Sequence, residues 1–156
     1  MRKIRVLSKK SFSEYLEQQG INEGNIEHSN CYYICIEPTG GPNSEPIFKE
    51  THFNVLPMIF DDVEKDEKKW GEEVQYFFEA KAMTAEQGQE IVNFIKQIHD
   101  NSECIIYCTH GESRSGAVGS FATKYFEQDY TEFLNDNPKV GPNPYVLDTL
   151  MTLSKT

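Results

Sequence analysis

Cys108 and Arg114 stand six residues apart in the stretch IIYCTHGESRSGAVGSF (residues 105–121), with Gly111 between them and Ser115 directly after the arginine. An ionised cysteine is a strong nucleophile near neutral pH, and the planar fork of arginine can hold two oxygens of a phosphate at once. The run ECIIYC (residues 103–108) is short, apolar and suited to a buried central strand. Gly111 and Gly116 bracket a turn, and residues 115–126 read as a helix. A strand, a tight loop and a helix in that order aim backbone N–H groups and the positive end of a helix dipole at one point, which makes an anion site. The dipole and the guanidinium both favour the thiolate form of a cysteine held there. A Cys-x5-Arg-Ser/Thr pattern arises by chance roughly once in a hundred chains of this composition. The chemistry on offer is a thiolate set against a bound phosphate.

The elements that must position this loop follow from periodicity. A short strand is expected at residues 4–7 and a helix after it, with Ser11 and Glu14 as a capping box ahead of Phe12, Tyr15 and Leu16. Residues 32–36 predict a second strand, and residues 53–60 a third, in which Pro57 marks a bulge or an edge. Between them PTGGPNSEP (residues 38–46) is a loop or hairpin end. The charged residues 61–69 must be solvated, and residues 70–80 fit a helix or a strand equally well. Thr84, with Gln87 in the capping-box position, opens a firmer helix that carries Ile91, Phe94, Ile95 and Ile98 on one face and is closed by residues 100–102. Asn143 as cap and Pro144 at the first helical position start the last helix, with Val146, Leu150 and Leu153 as its stripe. Strands alternating with helices give the α/β class, with a central, mostly parallel sheet flanked by helices. A length of 156 residues fits a single domain over 1–156.

The segment CTHGESRSG resembles the Cys-x5-Arg-Ser/Thr signature loop of the protein tyrosine phosphatase superfamily. Gly111 and the Ser113-Arg114-Ser115 triplet are most similar to its compact dual-specificity branch. The chain length and the place of the loop, two-thirds along, agree with that branch. The likeness is specific over residues 105–121 and topological elsewhere. It implies a cysteine-phosphatase fold and hydrolysis of a phosphomonoester, foremost phosphotyrosine, with phosphoserine and phosphothreonine also in range. The substrate would be a phosphoprotein or a small phosphomonoester, and the resemblance implies neither metal nor other cofactor.

By the same resemblance Cys108 attacks phosphorus and forms a phosphocysteine. The backbone amides of Thr109, His110, Gly111, Glu112, Ser113 and Arg114, with the Arg114 side chain, hold the equatorial oxygens. The Ser115 hydroxyl steadies the Cys108 thiolate as it leaves. An aspartate on a separate loop, after an earlier strand, protonates the departing oxygen and then serves as base. Asp62 is the first choice for it and Asp61 the second, a solvated acidic turn being the plain alternative. Tyr107 stands where the superfamily usually has a histidine that helps order the loop. His110 would line the rim, and an outward Glu112 disfavours densely phosphorylated substrates.

With 25 acidic and 15 basic side chains the formal charge is −10, which disfavours nucleic acid and anionic membrane surfaces as partners. No apolar run approaches the ~18 residues needed to cross a bilayer, and the N-terminal stretch lacks the apolar core of a secretory signal. Cys31 and Cys35, like Cys104 and Cys108, are four apart on expected strands. That spacing is about 13 Å, too far for a disulfide. A reduced, monomeric, cytoplasmic protein is the expectation. Cys31, Cys35 and Cys104 read as small buried hydrophobes, with one of them available to trap an oxidised Cys108. His28, His52 and His99 read as surface residues, and Trp70 with Tyr76, Phe77 and Phe78 as core. Two rival readings share the loop. One is a phosphate-binding pseudophosphatase that keeps Arg114 and the amides but turns over slowly. The other is a rhodanese-like sulfurtransferase, whose loop has no need of an Arg-Ser ending.

Overall fold

Four runs rich in β-branched and aromatic side chains form the strands β1 (Lys3–Ser8), β2 (Cys31–Glu37), β3 (Val55–Ile59) and β4 (Glu103–Cys108). The computed structural model describes residues 1–63 and 80–155. Glu64, Asp66 and Glu67 of the charged run, and the aromatic set Trp70, Tyr76, Phe77 and Phe78, lie outside the described residues. The strands pair in the order β1-β4-β2-β3, every pair parallel.

A parallel sheet needs cover on both faces, and strand parity gives each face its own apolar set. Ile4, Val6, Ile34, Ile36, Ile106 and Cys108 join one core, covered by helices α2 (Ala85–Lys96), α3 (Arg114–Tyr125), α4 (Tyr130–Asp136) and α5 (Pro144–Leu153). Tyr33, Cys35, Ile105 and Tyr107 join the other, closed by Phe12 and Leu16 of α1 (Lys9–Gln19), by Ile26 of a short 3-10 turn (Ile26–His28) and by Phe48. Tyr107 and Cys108, neighbours in the chain, therefore belong to opposite faces. The architecture is α/β, as expected. Helix α3 is buried from Arg114 through Thr123. It lies so close to the sheet and to α4 that a Cβ on Gly119 would stand 2.7 Å from Val6 Cγ2 and 2.9 Å from Phe133 Cζ.

Several boundaries differ from the sequence expectation. Helix α1 is capped by Ser8, whose hydroxyl accepts from the Ser11 amide at 3.1 Å, so Ser11 sits inside the helix and is not its cap. The reason is that β1 runs into α1 with no linker, which moves the start three residues earlier. Strand β3 is shorter than residues 53–60, and Pro57 lies in it on the outer strand of the described sheet, where its missing N–H breaks no ladder. The Thr84–Gln87 capping box is present, but α2 ends at Lys96 and not at residues 100–102. Helix α4, seven residues capped by Asp129, is too short for a periodic signal and has no counterpart in the sequence reading. Among the described residues no helix is long and apolar enough to cross a membrane.

Candidate active site

Because the four strands of the described residues are parallel, their carboxyl ends share one edge of the sheet, and the loops that leave this edge build the site. Strand β4 delivers Cys108 there, in register with Ser8 at the end of β1. The chain then turns through Gly111, which has φ +70°. A Cβ at Gly111 would lie 2.5 Å from Ser8 N and 2.6 Å from the Leu7 carbonyl carbon, so the corner admits glycine alone. The carbonyls of Glu112 and Ser113 are turned away to accept from Gly141 N (3.0 Å), Asn143 N (3.0 Å) and Ala117 N (2.9 Å). Among the described residues nothing accepts from the amides of His110, Gly111, Glu112 and Ser113. Carbonyls facing out and amides left unpaired are what a backbone anion cradle requires.

Two side chains meet at the floor of this loop. Cys108 is 2% exposed, and its Sγ lies 3.0 Å from the Oγ of the fully buried Ser115. Arg114, 6% exposed, folds back over its own loop: Nη1 donates to Phe60 O at 3.0 Å and Nη2 to Thr109 Oγ1 at 3.2 Å. Its Nε is buried and has no partner, leaving one strong donor free inside the site. Thr109 is half-buried, while His110 and Glu112 are exposed on the rim.

The two candidate aspartates have different environments. Asp61, 4% exposed, accepts from Thr39 N (3.1 Å), Thr39 Oγ1 (2.6 Å) and Lys81 N (2.8 Å), while its own amide donates to Lys81 O at 2.7 Å. Its carboxylate is consumed in tying residue 39 to residue 81. Asp62 is exposed and faces the signature loop, where its Oδ1 accepts from Ser113 Oγ (2.6 Å) and from Asn143 Nδ2 (2.9 Å). Asn143 is buried, caps α5 through the Val146 amide (3.2 Å) and also reaches Val63 O at 3.4 Å. The sequence marks Asn143 only as a helix cap. Nothing in its spacing points to a partner 81 residues away.

Tyr107 is fully buried, and its hydroxyl donates to Glu37. Burial first, then Cys35 and Glu37, push the phenol well above its ordinary value, so it stays protonated. All four cysteines are free. Burial likewise pushes the Cys35 and Cys104 thiols up, as expected of inert packing groups. Cys35 belongs to the face opposite Cys108, and Cys104 is four residues away along the same strand. Cys31, in register with Glu103 at the start of β4, is farther still, so none of the three stands beside Cys108 to trap its oxidised form.

His28 and His99 are exposed, but His52 is not a surface residue. It is buried between two carboxylates, with Nδ1 2.8 Å from Glu27 Oε2 and Nε2 2.6 Å from Glu23 Oε1. Glu23, Glu50 and His52 form a set whose ligand atoms lie within 4.8 Å of one another. Two ligands of one zinc ion stand roughly 3.3 Å apart, so the 2.6 Å contact fits a hydrogen-bonded imidazolium better than a metal centre. The cluster precedes β3 and so sits at the amino edge of the sheet, away from Cys108.

No protein-family model matches the sequence, and no curated protein does. Solved structures do match. Human DUSP28 superposes with a TM-score of 0.53 over 97% of this chain and 88% of that one, at 13% identity. Tk-PTP in its active form gives 0.49 over 98% and 92% at 15% identity. The human tyrosine phosphatase-like serine/threonine/tyrosine-interacting protein gives 0.47 over 94% and 84% at 16% identity. The first of these, with the parallel sheet and the strand–loop–helix at Cys108, settles the architecture: the chain has a cysteine-phosphatase fold of the compact dual-specificity type.

Proposed function

We propose that this chain hydrolyses phosphomonoesters, foremost phosphotyrosine in proteins with phosphoserine and phosphothreonine also accepted, through a phosphocysteine. The observation that carries the reading is Arg114, a buried guanidinium bent over the Cys108 loop with Nε unpaired. Three equatorial oxygens of a phosphoryl group would be held by that side chain and by the amides of residues 109–114. Cys108 Sγ attacks phosphorus as the P–O bond to the leaving group breaks, and Asp62 gives its proton to the departing oxygen. Asp62 then takes a proton from water, the oxygen of that water attacks phosphorus, and the S–P bond breaks. The Ser115 hydroxyl, 3.0 Å from the sulfur, donates to the returning thiolate. No step draws on a metal or other cofactor. The chain acts as one domain over 1–156, as a cytoplasmic monomer, with neither nucleic acid nor membrane as partner.

Hydrolysis of an aryl phosphate in the presence of a chelator, blocked by vanadate and abolished in Cys108→Ser, is the expected result. Tyr107, in the place of the usual histidine, favours a second reading, a pseudophosphatase that binds phosphopeptide without turnover. Retained phosphopeptide binding by an inactive wild type would select it. Sulfur transfer from thiosulfate to cyanide would instead select the rhodanese-like reading.

A further inference from the structure

Glu37 ends β2 as a nearly fully buried carboxylate, 2% exposed, on the side of the sheet away from Cys108. One carboxylate oxygen, Oε2, accepts the Tyr107 hydroxyl, and Tyr107 directly precedes Cys108. The other, Oε1, is 2.8 Å from Lys9 Nζ. The ammonium spends its remaining donors on Asn43 O (2.8 Å) and Glu45 O (2.6 Å), which fastens the loop after β2 to the first turn of α1. Lys9 follows Ser8, the residue whose backbone the Gly111 corner abuts. The Glu37 main chain does a second job: its carbonyl accepts from Phe60 N at 3.1 Å, and the Phe60 carbonyl in turn receives Arg114 Nη1 at 3.0 Å. Three parts of the site, the root of Cys108, the guanidinium of Arg114 and the corner at Gly111, thus converge on one residue that touches none of the reacting atoms.

Resting on the hydrolase reading above, we infer that Glu37 is a positioning residue, bound by Lys9 and Tyr107 into a buried Lys–Glu–Tyr chain that sets Arg114 and the signature loop against Cys108. Both carboxylate oxygens are engaged and the phenol remains a donor, so the chain has one arrangement. Displacement of the loop by a fraction of an ångström penalises the transition state, in which every oxygen must be met, more than the ground state.

The test compares wild type, Glu37→Gln and Tyr107→Phe on an aryl phosphate, with vanadate affinity read by calorimetry and thermal melting read in parallel. Glu37→Gln is expected to lower kcat roughly tenfold and weaken vanadate by a similar factor, while KM moves less than about threefold. Tyr107→Phe, which deletes one hydroxyl, is expected to show the same split at smaller amplitude and serves alone if Glu37→Gln does not fold. A purely structural Glu37 would lower the melting temperature but leave kcat per folded molecule and vanadate affinity unchanged, and that result overturns the inference while hydrolysis stands. A wild type that neither turns over nor binds vanadate takes down the hydrolase reading, and this inference with it.

Discussion

Ser113 donates its hydroxyl to Asp62 across 51 residues of sequence, at 2.6 Å, instead of capping the helix it precedes. A serine before a helix ordinarily closes back on its own amides. Here the helix start forgoes a side-chain cap, and the hydroxyl is spent on Asp62 instead. The same contact brings an exposed carboxylate to the lip of the loop that holds Cys108 and Arg114.

Asp62 and Asp61 should therefore separate cleanly. Asp62→Ala is expected to cut turnover of a substrate with a poor leaving group by about 10²–10⁴-fold, with little change in melting temperature. Asp61→Ala removes the acceptor for three hydrogen bonds from Thr39 and Lys81. It is expected to destabilise the fold by about 1–3 kcal/mol or more. The reverse pattern would exchange the two roles.

Asn143 joins stability to orientation, and two substitutions tell these apart. Asn143→Ser keeps an N-cap oxygen for Val146 but loses the amide donor to Asp62. It should slow turnover while the melting curve stays close to wild type. Asn143→Ala loses the cap as well and should cost about 1 kcal/mol in addition. Equal activity in Asn143→Ser and wild type would dismiss the contact to Asp62 as incidental.

Gly111→Ala combines a left-handed backbone with a Cβ driven to within 2.5 Å of Ser8 N. Strain of this kind costs about 1–3 kcal/mol even before the clash is counted. Loss of vanadate binding together with a lowered melting temperature is the expected phenotype, measured by calorimetry and thermal unfolding.

The His52 cluster should give stability a pH signature. Hydrogen bonds donated to Glu23, then to Glu27, hold the imidazole above its ordinary value, and the bond accepted from His52 holds Glu23 below its own. A raised histidine stabilises the fold fully below its unfolded value near 6.5, and this contribution fades as pH rises through the higher folded value. The lowered Glu23 contributes above roughly pH 4.3 and loses that contribution as pH falls through its lower folded value. The melting-temperature gap between wild type and His52→Gln should thus be widest between roughly pH 4.5 and 6.5 and narrow at higher pH. A gap that is flat from about pH 5 to 9 would refute the paired imidazolium.

Much of this was legible in the sequence because it is encoded locally. The strand–turn–helix around Cys108, the Thr84–Gln87 box and the Asn143-Pro144 start all depend on neighbours within a few residues. Ser8 displaced Ser11 as the first cap because two hydroxyls three apart offer the same signal, and only the end of β1 decides between them. The choice of Asp62 over Asp61 depends on Thr39, Lys81 and Ser113, none of them near in sequence. His52 read as a surface residue because its two carboxylates come from a different turn. Glu37 shows at most as a lone charge at the end of an apolar strand, and its partners Lys9 and Tyr107 are 28 and 70 residues away.

The parallel sheet also fixes where the molecule can be handled. Strand β1 runs from Lys3 to Ser8, so Met1 emerges at the rim opposite the Gly111 corner. A six-residue strand spans about 20 Å. A tether, affinity handle or fluorophore carried on Met1 will therefore stand a full strand length from the Gly111 corner and the loop that follows Cys108.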